Sequence, residues 1–242
     1  MILHDRIYSR RFFRGTPGLI FIIFVVCLGG GCDRGPRGEG GKALPESFLF
    51  MDIGVNTVVD AEVISRLNQA LGAEAVDKRT PISLEIKYKG FLKRYYPELA
   101  ELEQELNIND VVRKEYPATK LTFRYPQQRQ SIFDYVELIY ANRSGHPLVI
   151  KMIAKKEVPD LIQSVTEKFG SPQEILLAEG EGTSRSWRQH QDVFVITRFA
   201  GRYGKPEQHI MIVYAERLRQ LLQQEAAQSG YQKKQDAGSV FK

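Results

Sequence analysis

The sequence predicts an α+β fold, a mostly antiparallel sheet with helices packed on one face. Three observations predict it. Segments with apolar residues every three or four positions are interspersed with segments in which they alternate or run together. Short turns such as Asn142-Arg143-Ser144-Gly145 join the strand-like runs, which suits hairpins and so antiparallel pairing. Apolar residues make up 43% of the 242, enough to build a core without crosslinks.

The first helix is expected at 60–72, where Val63, Ile64, Leu67 and Leu71 share a face, Asp60 caps and Gly72 stops. Ile82, Leu84, Ile86 and Tyr88 alternate through 81–88 and predict a strand. Pro97 opens a helix carrying Leu99, Leu102 and Leu106. Strands are expected at 119–125, 133–141 and 148–154. A helix follows from Pro159, with Leu161, Ile162, Val165 and Phe169 inward and Gly170 after it. Three more strands are expected at 184–189, 193–199 and 209–215, then a helix from 216 to about 228. The domain so read spans 46–228, and the polar run 229–242 reads as a disordered tail.

Within 118–228 two series share the order strand, strand, connection, strand, helix. Their connections, 141–147 and 200–206, match at Ala, Arg, Gly and Pro, with Arg143 opposite Arg202. Two βββα units from a duplication would explain this, and so would ordinary turn chemistry reused twice.

Charge and cysteine usage narrow the function. Residues 1–32 hold four of the 34 cations and one of the 29 acids, leaving +2 on the rest, so no nucleic-acid partner is expected. Both cysteines, Cys27 and Cys32, lie in that leader, which leaves the folded part without a thiol, a thiolate metal site or a disulfide. His146, His190 and His209 lack metal-ligand spacing, and no nucleophile elbow or phosphate loop is present. No catalytic residue, cofactor or metal is therefore expected. His146 reads as a solvated turn residue. Trp187 reads as a core anchor or the centre of a protein contact, and with Arg143 and Arg202 it forms the candidate interaction surface.

The leader carries the strongest signal. Its arginines, among them Arg10 and Arg11, precede a ten-residue apolar run at 19–28, half the length that spans a bilayer. Leu28-Gly29-Gly30-Gly31-Cys32 then resembles the cleavage box of bacterial lipoprotein signals, with Gly29 where that family has leucine. The resemblance implies removal of 1–31, diacylation of Cys32 as the new N-terminus, and a lipid anchor joined through the Gly-rich linker 32–45. Several acyl chains hold stably where one holds marginally. Asp33 after the cysteine resembles the enterobacterial signal for retention at the inner membrane, favouring its periplasmic face over the outer membrane. Ser9-Arg10-Arg11-Phe12-Phe13 also resembles the start of a twin-arginine export signal, while the greasy run that follows suits general secretion. The expectation is a cell-envelope lipoprotein, a non-catalytic interaction or assembly module with an envelope protein as partner. The alternative is a hydrolase with a discontinuous site or a lipid- or carbohydrate-binding domain.

Overall fold

The computed structural model describes residues 43–78, 81–107, 116–124, 132–154, 158–200 and 206–239. The strands are β1 (Ala75–Asp77), β2 (Ala118–Arg124), β3 (Phe133–Ala141), β4 (Pro147–Ala154), β5 (Gln173–Leu176), β6 (Gly182–Gln189), β7 (Asp192–Phe199) and β8 (Glu207–Val213). The helices are α1 (Ala61–Leu71), α2 (Phe91–Tyr95), α3 (Pro97–Asn107), α4 (Pro159–Phe169) and α5 (Ala215–Ser239). Among the described residues these eight strands form one antiparallel sheet in the order β1-β2-β3-β4-β8-β7-β6-β5. The α+β class and the antiparallel sheet stand as the sequence predicts.

The helices do not lie on one face. α1 and α4 cover the side reached by Leu121, Val136, Ile150, Phe194 and Ile212. The opposite side, with Ile139, Val149, Val195, Met211 and Val213, lies under α2, α3 and α5. The cause is in the central strands. Val193 and Val195 of β7 point one way and Phe194 and Ile196 the other, all at most 5% exposed. A strand apolar on both sides needs cover on both. Trp187 belongs to the first of these cores, 3% exposed, with its Nε1 donating to the Gly170 carbonyl at 2.9 Å. Its ring therefore offers no surface to a partner, and the core reading replaces it in the candidate interaction surface.

Local signals explain the helices that the sequence located well. Asp60 accepts from the Val63 amide at 2.9 Å, a cap that contributes about 1 kcal/mol. Val63, Leu67 and Leu71 are buried, each contributing about 1.5–3 kcal/mol relative to exposure. α4 begins at Pro159 and ends before Gly170, whose φ of 84° suits a residue without a Cβ.

Three segments differ from expectation. Residues 81–88 are not a strand. Ile82 and Leu84 are buried under α3, and side chains occupy backbone oxygens that a ladder would use: Asn107 Nδ2 donates to Ile82 O at 3.0 Å and Lys151 Nζ to Glu85 O at 2.9 Å. The alternation there served burial and not pairing. α5 continues past Gln228 to Ser239, so helix replaces most of the expected disordered tail. Residues 44–59, which show no helical or strand period, form an irregular strap that buries Phe48, Phe50, Ile53, Val55 and Val59.

The duplication is supported by the strands and broken by the helices. A two-fold axis normal to the sheet between β4 and β8 would map β1-β2-β3-β4 onto β5-β6-β7-β8 with the observed directions. It would also put α4 and α5 on the same face, and they lie on opposite faces. The residues before the two matched alanines, Tyr140 and Phe199, likewise face opposite sides.

Candidate binding site

One recess of about 360 Å³ opens between the β3–β4 turn and the first turns of α5. The turn supplies Arg143, Ser144 and His146. Gly145 has φ 69°, and a Cβ there would meet Val58 Cγ1 at 2.9 Å, so glycine is needed both for conformation and for the close approach of the strap. α5 supplies Arg217, Gln220 and Gln224, three and four residues apart and thus on one helical face. Leu148 and Leu221 complete the apolar part of the wall.

Arg217 organises the site. Its side chain belongs to a residue only 4% exposed. Nε donates to Val55 O at 3.0 Å, Nη1 to Gln220 Oε1 at 2.9 Å and Nη2 to Asn56 Oδ1 at 2.9 Å. All three acceptors are neutral. Among the described residues no carboxylate lies within ion-pair distance. Burial lowers the guanidinium pKa, and Asp192, Glu216 and Glu46 oppose this from farther away. Asn56 in turn accepts from Leu44 N at 2.9 Å and donates to Leu44 O and Glu46 Oε1, both at 2.7 Å, closing the strap into a loop.

His146 is 7% exposed, not solvated as the turn position suggests. Its Nδ1 lies 3.0 Å from the Thr57 carbonyl, which only accepts, so Nδ1 carries the proton. Burial pushes its pKa down, the Thr57 carbonyl opposes this, and nearby Arg217 pushes down as well, so the ring is neutral around pH 7. Arg143 is exposed at the rim and makes no hydrogen bond or ion pair among the described residues.

The strap is pinned beside the recess by two further bonds. The Tyr214 hydroxyl faces Phe48 O at 2.9 Å and Ile53 O at 3.1 Å, and shares its one proton between them. Ser47 Oγ donates to Asp192 Oδ2 at 2.5 Å. Asp192 sits under the start of α5; burial raises its pKa, while Ser47 and the nearby Glu216 and Ala215 amides lower it.

A second polar cluster lies under α3. Lys151 of β4 stands directly across from Glu137 of β3 in register, with Nζ 3.9 Å from Oε1, and Tyr135 Oη donates to Glu137 Oε2. Burial lowers the Lys151 pKa, and Glu137 and Glu103 raise it. Burial raises the Glu103 pKa, and Glu85 adds to the rise. The space beside Lys151, Tyr135 and His209 is about 40 Å³, on the scale of one water. This cluster pins strands together and has no room for a substrate.

Of the residues singled out in the sequence, Arg143 lies at the recess. His190 is exposed at the β6–β7 hairpin tip with φ 55°, and His209 sits on β8, 3.5 Å from Glu207. Arg10, Arg11, Cys32, Asp33 and Arg202 lie outside the described residues. Arg217 and Asn56 were missed, because one arginine beside a leucine stripe reads as a solvated helix face. Among the described residues no three His, Cys, Asp or Glu side chains form a metal cluster, and no helix is long and apolar enough to cross a membrane. No protein-family model, curated protein or solved structure matches the chain.

Proposed function

We propose that the chain is a cell-envelope lipoprotein, tethered through lipid on Cys32 and acting as a non-catalytic interaction module. On this reading it faces the periplasm from the inner membrane, as Asp33 after the cysteine suggests. The observation that carries the module reading is the recess of about 360 Å³ between the β3–β4 turn and α5. Its polar lining is made of guanidinium, amide and hydroxyl groups with a neutral imidazole, which suits recognition of a polar group held by hydrogen bonds.

Two measurements test this. Mass spectrometry of the membrane fraction is expected to show the added acyl mass, absent in Cys32→Ser together with membrane retention. An unchanged mass and unchanged retention would remove the lipid anchor. A photoreactive residue at position 143 in intact envelopes is expected to capture a discrete partner, while one at the exposed Glu62 on α1 captures none. Failure at both positions would sink the module reading. A lipid- or carbohydrate-binding domain is the second reading, favoured by Leu148 and Leu221 in the same wall.

A further inference from the structure

Resting on that reading of the recess, we propose that it is an oxyanion site, in which Arg217 and Arg143 receive a carboxylate or phosphate group of the ligand. A guanidinium has five N–H donors in a fixed fork. Arg217 uses three on Val55, Gln220 and Asn56, which leaves one on each terminal nitrogen without an acceptor among the described residues. The three bonds hold the fork rigid, so little side-chain freedom remains to be lost on binding.

Placement sharpens this. Arg217 stands in the first turn of α5, where the helix dipole already favours negative charge and disfavours a cation. An enclosed cation at that end, whose direct partners among the described residues are neutral oxygens while Asp192, Glu216 and Glu46 stand farther off, is stabilised further by an anion that enters the recess. Among the described residues that line it there is no carboxylate. Arg143, without a partner among the described residues, adds a second fork at the rim, and Ser144, Gln220 and Gln224 add hydroxyl and amide groups. Arginine with amide and hydroxyl donors is the set that recognises carboxylate and phosphate oxygens. A volume of about 360 Å³ accepts such a group with a few attached atoms.

The test titrates the full chain, purified from membranes in detergent, with sodium phosphate and separately with sodium glutarate, by calorimetry in chloride buffer. Saturable binding of at least one probe is expected, with Kd of about 1 mM or tighter. Arg143→Gln is expected to weaken it at least about tenfold, since a charge-assisted bond is lost. Arg217→Lys, which keeps the charge and loses the fork, is expected to weaken it as well. If that variant does not fold, Arg143→Gln decides. A preference for glutarate assigns the group to an acidic side chain or chain terminus, and one for phosphate to a phosphorylated ligand; either supports the site. Absence of saturation with both probes, or unchanged binding by Arg143→Gln, overturns it. A partner captured at position 143 that neither probe displaces keeps the interaction module and overturns the oxyanion site. Saturable binding without any captured partner keeps the site and removes the module.

Discussion

Lys151, half-buried, and Arg217, buried, are both enclosed cations, and the protein treats them oppositely. Lys151 has Glu137 at 3.9 Å across the strand pair, the Glu85 carbonyl at 2.9 Å, and space for about one water beside it. Arg217 has three neutral oxygens and opens onto a recess nine times larger by volume, about 360 Å³ against 40 Å³. Burying a charge is costly unless it is paired. The first cation is paired within the chain, so it is part of the scaffold. The second has only neutral oxygens in direct contact, with Asp192, Glu216 and Glu46 farther away, so it retains attraction for an anion from outside. Residue type and burial alone do not separate scaffold from site; the charge of the neighbours does.

The largest expected effect breaks the first half of that contrast. Lys151→Ala leaves Glu137 buried without its counter-charge and is expected to cost about 3–5 kcal/mol in urea denaturation. Replacing both Lys151 and Glu137 by methionine should recover most of that, because no lone charge remains. A loss in the single variant below about 1 kcal/mol would show that the pair is solvated and not part of the scaffold.

Arg217→Met comes next. It removes two hydrogen bonds to the strap, on Val55 and Asn56, and one to Gln220 on its own helix, and is expected to cost about 2 kcal/mol. Hydrogen exchange at the Phe50 and Ile53 amides, which bond each other's carbonyls in the strap, should then speed up more than at Val195 in the sheet centre. Equal acceleration at all three would mean that Arg217 supports the whole domain and not the strap.

A smaller effect follows pH. The folded-state pKa of His146 is lowered by burial, so the unfolded chain takes up the proton first. Stability from this group is complete above its unfolded pKa of about 6.5 and is lost as pH falls through the lowered folded value. His146→Gln should therefore flatten the decline in stability between about pH 7 and pH 5, measured by urea midpoints. Asp192 runs the other way. Its raised pKa makes its contribution greatest in acid and smaller as pH rises, so Asp192→Asn should steepen the acid-side decline. The smallest effect is at Arg143, exposed and without a partner among the described residues, where glutamine should change stability by less than about 0.5 kcal/mol. A larger loss would place that side chain in the scaffold.

Part of this contrast is written in the sequence, although no expectation was drawn from it. Lys151 interrupts the apolar run of β4 and Glu137 that of β3, and a charge in each of two neighbouring buried strands invites pairing. The recess was not legible. Arg143 stood out only through the comparison of two turns, and His146 was read as solvated although the strap covers it. Arg217 carried no periodic or motif signal at all. The strap itself is irregular, and its partners are remote in the chain: Tyr214 bonds Phe48 across 166 positions, Arg217 bonds Val55 across 162 and Ser47 bonds Asp192 across 145.

The sequence by itself determined what depends on neighbours in the chain. The capped helix α1, the proline-started α4, the two central hairpins and the antiparallel α+β class all follow from local period, caps and turns. Only the tertiary structure decided which face each helix covers, that 81–88 packs without pairing, and that the strap lies against α5. Those outcomes depend on which distant side chain takes a given carbonyl or fills a given apolar face. Burial and hydrogen-bond satisfaction are settled among residues far apart in sequence, where local period carries no information.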